Sequence, residues 1–394
     1  MTILKMKKIS KHYILIILNF TIIIFYSQLT IARDNLIASP PPQQPPFTRI
    51  YAFGDSYTDT GNTFSAKGPS GSLPYGMTYF HHPTYRYSDG RLVMDFVSDH
   101  LSLPFLPPYK NITNIEKAIS VNFAVGGATA IEHDFFVTNN FTFDKTLESL
   151  GTELNWINNV LEKQGCGNNN DVVVKCGALF DDTLIWVGEI GANDYAYTSL
   201  ITSIDYRKSV VQVLAIKRVS DFLEFSVRAK YVVIQGLPPT GCLTLAMVLA
   251  PTNDRDDMGC VRSENDLISN HNKLLLAEIQ GLRNRYPKAF IVYADYYNAY
   301  REIMKNRAKY GFEEAFKACC GSGGGDYNLF STCGSTGSSW CSNPSRYINW
   351  DGVHLTEAMY KAVARLLLEG GYSRPSFDEM IDRKNSHGRG MYVS

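Results

Sequence analysis

The chain has 394 residues, and its 38 Lys and Arg residues are balanced by 38 Asp and Glu residues. The resulting formal net charge of zero gives no reason to expect a nucleic acid or an anionic membrane surface as partner. A hydrophobic content of 45 % is ordinary for a globular protein with a full core, whereas the aromatic content of 12 % is on the high side.

The first 32 residues have the pattern of a secretory signal peptide. Lysines at positions 5, 7, 8 and 11 precede an apolar run over residues 13–26, and Ala32 is a small residue at the expected cleavage point. This run is too short and interrupted for a good membrane span, although a signal anchor is the alternative interpretation of the same pattern. Residues 33–47 are rich in Pro and Gln and predict an extended spacer, so that residues 48–394 form a single predicted domain. We therefore predict a secreted, extracellular protein, with the vacuole as the other possible destination.

Cysteine use and glycosylation sequons agree with secretion. All eight cysteines follow the predicted signal peptide, and their even number favours disulfides in an oxidising compartment. The predicted bridges are the sequential pairs Cys166–Cys176 and Cys242–Cys260. Pairing within the last four cysteines stays open, these being Cys319, Cys320, Cys333 and Cys341. Asn111 and Asn140 each begin an Asn-x-Thr sequon and are predicted N-glycosylation sites.

Along the rest of the chain, apolar strand-like runs alternate with helical patterns about five times. The predicted strands are residues 50–53, 121–124, 184–187, 231–235 and 289–294. The predicted helices are residues 92–101, 144–164, 209–229, 264–285 and 299–306, followed by a last helix that Thr356 caps. Such alternation predicts a three-layer α/β/α sandwich around a central, mainly parallel five-stranded sheet. The Gly/Ser/Cys-rich stretch from Cys319 to Cys341 predicts a surface insertion held by disulfides.

Five residues have the side chains and the positions that ester chemistry requires. Ser56, Gly127 and Asn193 follow the first three predicted strands, and the carboxyl ends of parallel strands meet at one edge of a sheet. Asp351 and His354 lie three residues apart, just before the last helix. A serine nucleophile needs a base such as His354, and the imidazole needs an acceptor such as Asp351 to fix its tautomer. The backbone N–H groups of Ser56 and Gly127 and the amide of Asn193 are candidate oxyanion donors.

Four segments in the same order resemble the plant GDSL esterase/lipase family of the SGNH hydrolase superfamily. They are Gly54-Asp55-Ser56 with Thr58 to Asn62, then residues 121–128, Gly191 to Asp194, and residues 350–358. The resemblance covers nearly the whole mature chain. It implies a flavodoxin-like fold and a serine carboxylic-ester hydrolase that acts on a small-molecule or lipid ester. It also implies a monomer without metal or organic cofactor.

The resemblance assigns the roles residue by residue. Ser56 is the nucleophile, His354 is the base, Asp351 orients the base, and Gly127 and Asn193 complete the oxyanion hole with the N–H of Ser56. The family's name motif has Leu after the serine, whereas this chain has Tyr57. A tyrosine there can reshape the pocket, so the substrate preferences of the family do not transfer to this chain.

Two other functions use the same residues differently. If an alcohol instead of water resolves the acyl-Ser56 intermediate, the protein is an acyltransferase of specialised metabolism. A catalytically silent defence or binding protein is the other alternative, and it would be expected to lack at least one of the four segments. For the aromatic loop that includes Tyr75 and Tyr87, ordinary packing is the favoured interpretation over an acyl pocket. His81 and His82 lie beside Pro83 in a polar loop and are not expected to bind a metal.

Overall fold

The strands form one large sheet and one small one. In chain order they are β1 (Arg49–Phe53), β2 (Val121–Asn122), β3 (Thr183–Val187), β4 (Tyr231–Gln235), β5 (Phe290–Ala294), β6 (Cys320–Gly321), β7 (Ser339–Trp340) and β8 (Ser373–Arg374). The large sheet has six strands in the order β2-β1-β3-β4-β5-β8, and β6 pairs with β7 alone. The first five strands of that order are parallel, as predicted, whereas β8 runs antiparallel beside β5. The predicted number of five is therefore one short, because a two-residue edge strand has too few residues for a recognisable alternation.

Helices connect these strands. They are α1 (Val93–His100), α2 (His133–Thr138), α3 (Leu150–Lys163), α4 (Val172–Asp181), α5 (Ala192–Ser199), α6 (Ile204–Tyr206), α7 (Gln212–Ser226), α8 (Thr244–Leu249), α9 (Arg262–Arg285), α10 (Tyr296–Lys305), α11 (Glu357–Leu368) and α12 (Phe377–Arg389). The helix predicted over residues 144–164 begins only at Leu150, where the Thr152 hydroxyl accepts a hydrogen bond from the N–H of Ser149. Thr356 caps α11 as predicted, since its hydroxyl accepts from the N–H of Met359. The helices that were not predicted are α2, α4, α5, α6, α8 and α12.

Alternate residues of the central strands face two separate apolar layers. Along β1, Ile50 and Ala52 join the cluster that contains α1, α10 and α11, whereas Tyr51 and Phe53 join the cluster of α3, α7 and α9. Side chains of a strand alternate between its two faces, so a strand buried on both faces is apolar throughout. The two clusters establish the three-layer α/β/α arrangement that the sequence predicted.

The computed structural model describes residues 45–389, apart from 67, 144–145, 167–171, 227, 323–327 and 329–331. The predicted signal peptide and most of the predicted spacer lie outside the described residues. From Pro46 onward the described residues belong to one compact unit. None of the helices in this part of the chain is long and apolar enough to cross a membrane.

Four disulfides contain all eight cysteines. The predicted bridges Cys166–Cys176 and Cys242–Cys260 are confirmed. The remaining bridges are Cys319–Cys341 and Cys320–Cys333, which sequence reasoning left open. Cys319, Cys320 and Cys333 pack in one buried cluster that also includes Tyr75 and Trp350, so the insertion is attached beside the segment that contains Asp351 and His354.

The strand order also locates the site. The chain passes from β1 to β2 on one side and continues through β3 on the other, so the order reverses between β1 and β3. Ligands of open α/β sheets bind at such a reversal, outside the carboxyl ends of the strands. Ser56 and Asn193 follow β1 and β3, and both therefore lie at this point of the sheet.

Candidate active site

A continuous chain of hydrogen bonds joins three of the predicted site residues. The Oγ atom of Ser56 lies 2.9 Å from Nε2 of His354, and Nδ1 of the same ring lies 2.8 Å from Oδ2 of Asp351. An ionised carboxylate can only accept, so Nδ1 carries the ring proton and Nε2 accepts the serine hydroxyl. All three residues are buried, which keeps the exchange of a proton between Ser56 and His354 away from bulk water.

Asp351 is held as a carboxylate by the groups around it. Its Oδ1 atom accepts hydrogen bonds from the backbone N–H groups of Val353 at 2.8 Å and His354 at 2.7 Å. Its Oδ2 atom accepts from the hydroxyl of Tyr75 at 2.8 Å. Burial alone would raise the pKa of Asp351, but the charge and hydrogen bond of His354, together with these donors, lower it to about 2. The acceptor that orients the imidazole is therefore ionised at any pH near neutrality.

Two tyrosines of the aromatic loop contact the triad residues directly. Tyr75 donates to Asp351, and the ring of Tyr87 stacks on the imidazole of His354 with 4.5 Å between the ring centroids. Both side chains are packed inside the protein, as predicted, but the residues they pack against are Asp351 and His354. Sequence reasoning missed this function because these tyrosines lie more than 250 positions before Asp351, and nothing in their local pattern reports the contact.

Tyr57 does not line an open pocket. Only 6 % of its surface is exposed, and its ring lies against those of Tyr296 and Tyr360. Its hydroxyl donates to the backbone carbonyl of Val353 at 2.7 Å. The side chain thus points into the protein and lies beside the imidazole of His354, with 5.9 Å between the ring centroids, and its effect on the pocket stays a prediction.

The predicted oxyanion donors follow three adjacent strands. Gly127 has a left-handed backbone with φ of 87°, and its carbonyl accepts from the hydroxyl of Tyr197. Within the described residues, the N–H groups of Ser56 and Gly127 donate no hydrogen bond to the protein and are available for a ligand. The amide of Asn193 already donates to Oδ2 of Asp55 and to the carbonyl of Ala128, both at 2.9 Å. Asn193 is therefore fixed in place, and it must share or exchange one of these bonds to bind an oxyanion.

Buried carboxyl groups support the segment that contains Ser56. Oδ1 of Asp55 accepts from the N–H of Tyr57, and the carboxyl of Glu189 is hydrogen-bonded to Asp55. Burial raises the pKa of both carboxyls, and the charge of Asp55 raises that of Glu189 further. Glu189 is thus the carboxyl of this pair that holds its proton more strongly, and in that form it can donate to Asp55. Sequence analysis gave no role to Glu189.

Asp59 closes the turn after the nucleophile and links it to the second segment. Its carboxylate accepts from the backbone N–H groups of Gly61 and Thr63, and also from the N–H of Gly126 at 2.9 Å. The carboxylate therefore joins the loop after β1 to the glycine turn that precedes Gly127.

The other predicted residues lie apart from the triad. Asn111 and Asn140 are exposed, and both are accessible for glycan attachment.

His81 is an exposed residue whose Nδ1 lies 3.2 Å from the carbonyl of Met77. His271 is fully buried and hydrogen-bonded to Tyr195, and burial lowers its pKa to about 3, so it stays neutral. Across the described ranges, no three or more His, Cys, Asp or Glu side chains are grouped as a metal would require.

Comparison with known proteins agrees with this geometry. The family of GDSL-like lipases/acylhydrolases matches residues 50–367 of the chain. A GDSL esterase/lipase of Arabidopsis thaliana is 48 % identical over 372 residues, which cover 90 % of this chain and 94 % of the relative. A sinapine esterase of Brassica napus is 36 % identical over 372 residues, covering 90 % and 95 % of the two chains. The match includes the nucleophile segment and the histidine segment alike, and the chain therefore belongs to the GDSL-like lipase/acylhydrolase family, whose members hydrolyse carboxylic esters.

Proposed function

We propose that this protein is a secreted serine esterase that hydrolyses carboxylic esters through an acyl-Ser56 intermediate. The observation that carries the proposal is the hydrogen-bonded chain from Ser56 through His354 to Asp351. Family membership supports ester hydrolysis as the reaction, and one relative bears the name of an esterase. The physiological ester is left open.

The first half of the reaction acylates the serine. As Oγ of Ser56 bonds to the ester carbonyl carbon, Nε2 of His354 takes the hydroxyl proton, and the carbonyl oxygen becomes an oxyanion. The free N–H groups of Ser56 and Gly127, with the amide of Asn193, are the donors proposed to stabilise that charge. The tetrahedral intermediate then expels the alcohol, whose oxygen receives the proton from Nε2.

The second half releases the acid and restores the enzyme. Water attacks the acyl carbon while Nε2 of His354 takes one of its protons, and a second oxyanion forms in the same place. The bond to Oγ of Ser56 then breaks, and the serine recovers its proton from the imidazolium. Asp351 stays ionised throughout and stabilises the positive ring that exists in each half.

Secretion is supported by three independent features. The N-terminal pattern is that of a signal peptide, four disulfides require an oxidising compartment, and both sequons begin at exposed asparagines. Expression in a plant or insect secretory host, followed by treatment with a peptide N-glycosidase, is expected to lower the apparent mass. The mature N-terminus is expected after residue 32. A protein retained in the cells with its first residues intact would contradict secretion.

The test of the reaction compares wild type with Ser56→Ala on p-nitrophenyl esters of increasing acyl length. The variant is expected to lose activity by roughly a thousand-fold or more, because the covalent route is removed. Ser199→Ala is the matched control, since this exposed serine bonds only to its own helix α5. Equal rates of hydrolysis in wild type and Ser56→Ala would refute the assignment of Ser56 as the nucleophile. A wild-type protein that hydrolyses none of the esters would favour a binding protein.

The same assay separates hydrolysis from acyl transfer. With a simple alcohol added, an esterase is expected to release mainly the free acid, because water resolves the acyl-enzyme. Predominant formation of the new ester at modest alcohol concentration would instead make the protein an acyltransferase. Both results would retain Ser56 as nucleophile and would differ only in the second half of the reaction.

A further inference from the structure

The nucleophile and the base lie on segments about 300 residues apart in sequence, and two neighbouring hydrogen bonds join those segments. One is the bond between Ser56 and Nε2 of His354 at 2.9 Å. The other runs between the next residues, from the hydroxyl of Tyr57 to the carbonyl of Val353 at 2.7 Å. Tyr57 directly follows the nucleophile and Val353 directly precedes the base. The second bond therefore fixes the separation that the first bond needs.

We propose that Tyr57 is a positioning residue that holds the histidine segment at the distance at which His354 can deprotonate Ser56. This inference rests on the proposed function of the same site and adds a determinant of its rate. Leucine, which stands at this place in the family's name motif, has no group to donate to Val353. The bridge is thus a property of this chain that the motif itself does not supply.

The residues around Tyr57 restrict the movement of its side chain. Its ring is confined by edge-on contact with Tyr360 at 5.6 Å and by Tyr296 at 6.2 Å between centroids. Val353 is 36 % exposed, whereas Asp351 and His354 on either side of it are buried, so the Tyr57 hydroxyl reaches a backbone carbonyl between two members of the triad. Burial raises the pKa of the Tyr57 hydroxyl well above its ordinary value, with Tyr360 adding to the rise, so the hydroxyl keeps its proton and can donate.

The test replaces only the hydroxyl. Tyr57→Phe keeps the ring and its packing but removes the donor, and Tyr57→Leu introduces the residue of the family motif. Tyr296→Phe is the matched control, because Tyr296 belongs to the same aromatic cluster and its buried hydroxyl has no partner in the described structure. Each variant is assayed for kcat and KM on a p-nitrophenyl ester, for the rate at which a fluorophosphonate labels Ser56, and for Tm.

Tyr57→Phe is expected to lower kcat and the labelling rate by roughly 10- to 100-fold with KM changed less than two-fold, because small misplacement of a catalytic group has effects of this size. Tyr296→Phe is expected to leave kcat, KM and the labelling rate within about two-fold of wild type, because it displaces no catalytic group. Equal kcat in the two variants would overturn the proposal, as would a raised KM with unchanged kcat, which indicates a pocket residue. A lower Tm with unchanged kcat and labelling rate would reduce Tyr57 to a structural role.

The experiment separates this proposal from the proposed function. If wild type hydrolyses the ester and labels at Ser56 while Tyr57→Phe is unimpaired, only the positioning inference fails. If wild type neither hydrolyses nor labels, the serine esterase assignment fails, and the inference fails with it. Should Tyr57→Leu not fold, Tyr57→Phe alone decides, because it preserves the aromatic packing.

Discussion

Protein stability is expected to be higher at pH 5 than at pH 7, because burial raises the pKa of several carboxyl groups in the folded protein. Asp89 accepts from the N–H of Glu357 and the hydroxyl of Thr78, and Asp194 accepts from the N–H groups of Ala130 and Ile131. Neither has an ion-pair partner within the described residues. Burial raises the pKa of Asp89 from 3.8 to about 6 and that of Asp194 from 3.8 to about 7.

The sign of the effect follows from proton binding. A folded-state pKa above the unfolded value means that the folded protein takes up protons first as the pH falls, so stability rises between the two values. From pH 7 to pH 5, linkage gives roughly 1 kcal/mol for Asp89 and roughly 2 kcal/mol for Asp194. Buried His271 opposes part of this gain by roughly 2 kcal/mol, because its folded-state pKa of about 3 lies below the unfolded value and the unfolded chain takes up the proton first. The net gain of about 1 kcal/mol corresponds, for a chain of this size, to a rise in Tm of roughly 1–2 °C. Asp351 has the opposite effect on stability, because its pKa is lowered to about 2 in the folded protein. Its stabilising contribution is present above about pH 4 and is lost progressively as the pH falls from about 4 to about 2.

The assay is the Tm at a fixed scan rate from pH 3 to pH 8, for wild type and Asp89→Asn. The asparagine keeps an oxygen for the N–H of Glu357 and cannot ionise, so its Tm is expected to change less than that of wild type between pH 7 and pH 5. Asp205→Asn is the control, since Asp205 is an exposed aspartate. A wild-type Tm that is highest above pH 7, or an Asp89→Asn profile identical to wild type, would refute the reasoning.

Three further substitutions test the site. Tyr75→Phe removes one hydrogen-bond donor to the buried carboxylate of Asp351. It is expected to lower kcat on a p-nitrophenyl ester about ten-fold. An unchanged kcat would show that the remaining donors to Asp351 suffice. Asn193→Ala is expected to lower kcat by roughly 100- to 1,000-fold with little change in KM, and a loss below five-fold would remove Asn193 from the oxyanion hole. Gly126→Ala places a Cβ 2.4 Å from Cε2 of Tyr87 and 2.7 Å from Oγ1 of Thr63. It is expected to cost about 1–3 kcal/mol in denaturant unfolding, whereas Gly177→Ala, whose Cβ meets nothing within 4 Å in helix α4, is expected to be neutral or stabilising.

The parts of the fold that sequence predicted are those with a local signal. Each parallel strand lies in an apolar run, and glycine directly follows β1, β3 and β4. The bridges Cys166–Cys176 and Cys242–Cys260 join cysteines that are neighbours in sequence. The site residues were found because four short segments stand in a fixed order. Strand β8 was missed because it is only two residues long and forms by pairing with β5, which no pattern within its own residues specifies.

The parts that sequence did not predict depend on contacts between distant segments. Tyr75 reaches Asp351 across 276 positions, and Tyr57 reaches Val353 across 296. A tyrosine in a polar loop has the same local pattern whether it covers a pocket, packs on a core or donates to a catalytic carboxylate. Only the folded chain distinguishes these uses, because each depends on which segment the sheet topology brings alongside.

Two buried aspartates near the nucleophile show what decides the ionisation of carboxyl groups in this site. Asp59 accepts from Gly126 and from several groups of the turn after Ser56, yet burial still leaves its pKa raised. Asp351 is as deeply buried and has a comparable set of donors, but its pKa falls to about 2. The difference is His354, whose positive charge is the largest influence opposing burial at Asp351. Hydrogen bonds alone therefore do not offset burial at this depth, whereas His354 beside Asp351 does. The ionised Asp351 can in turn stabilise the imidazolium that forms when His354 takes the proton of Ser56.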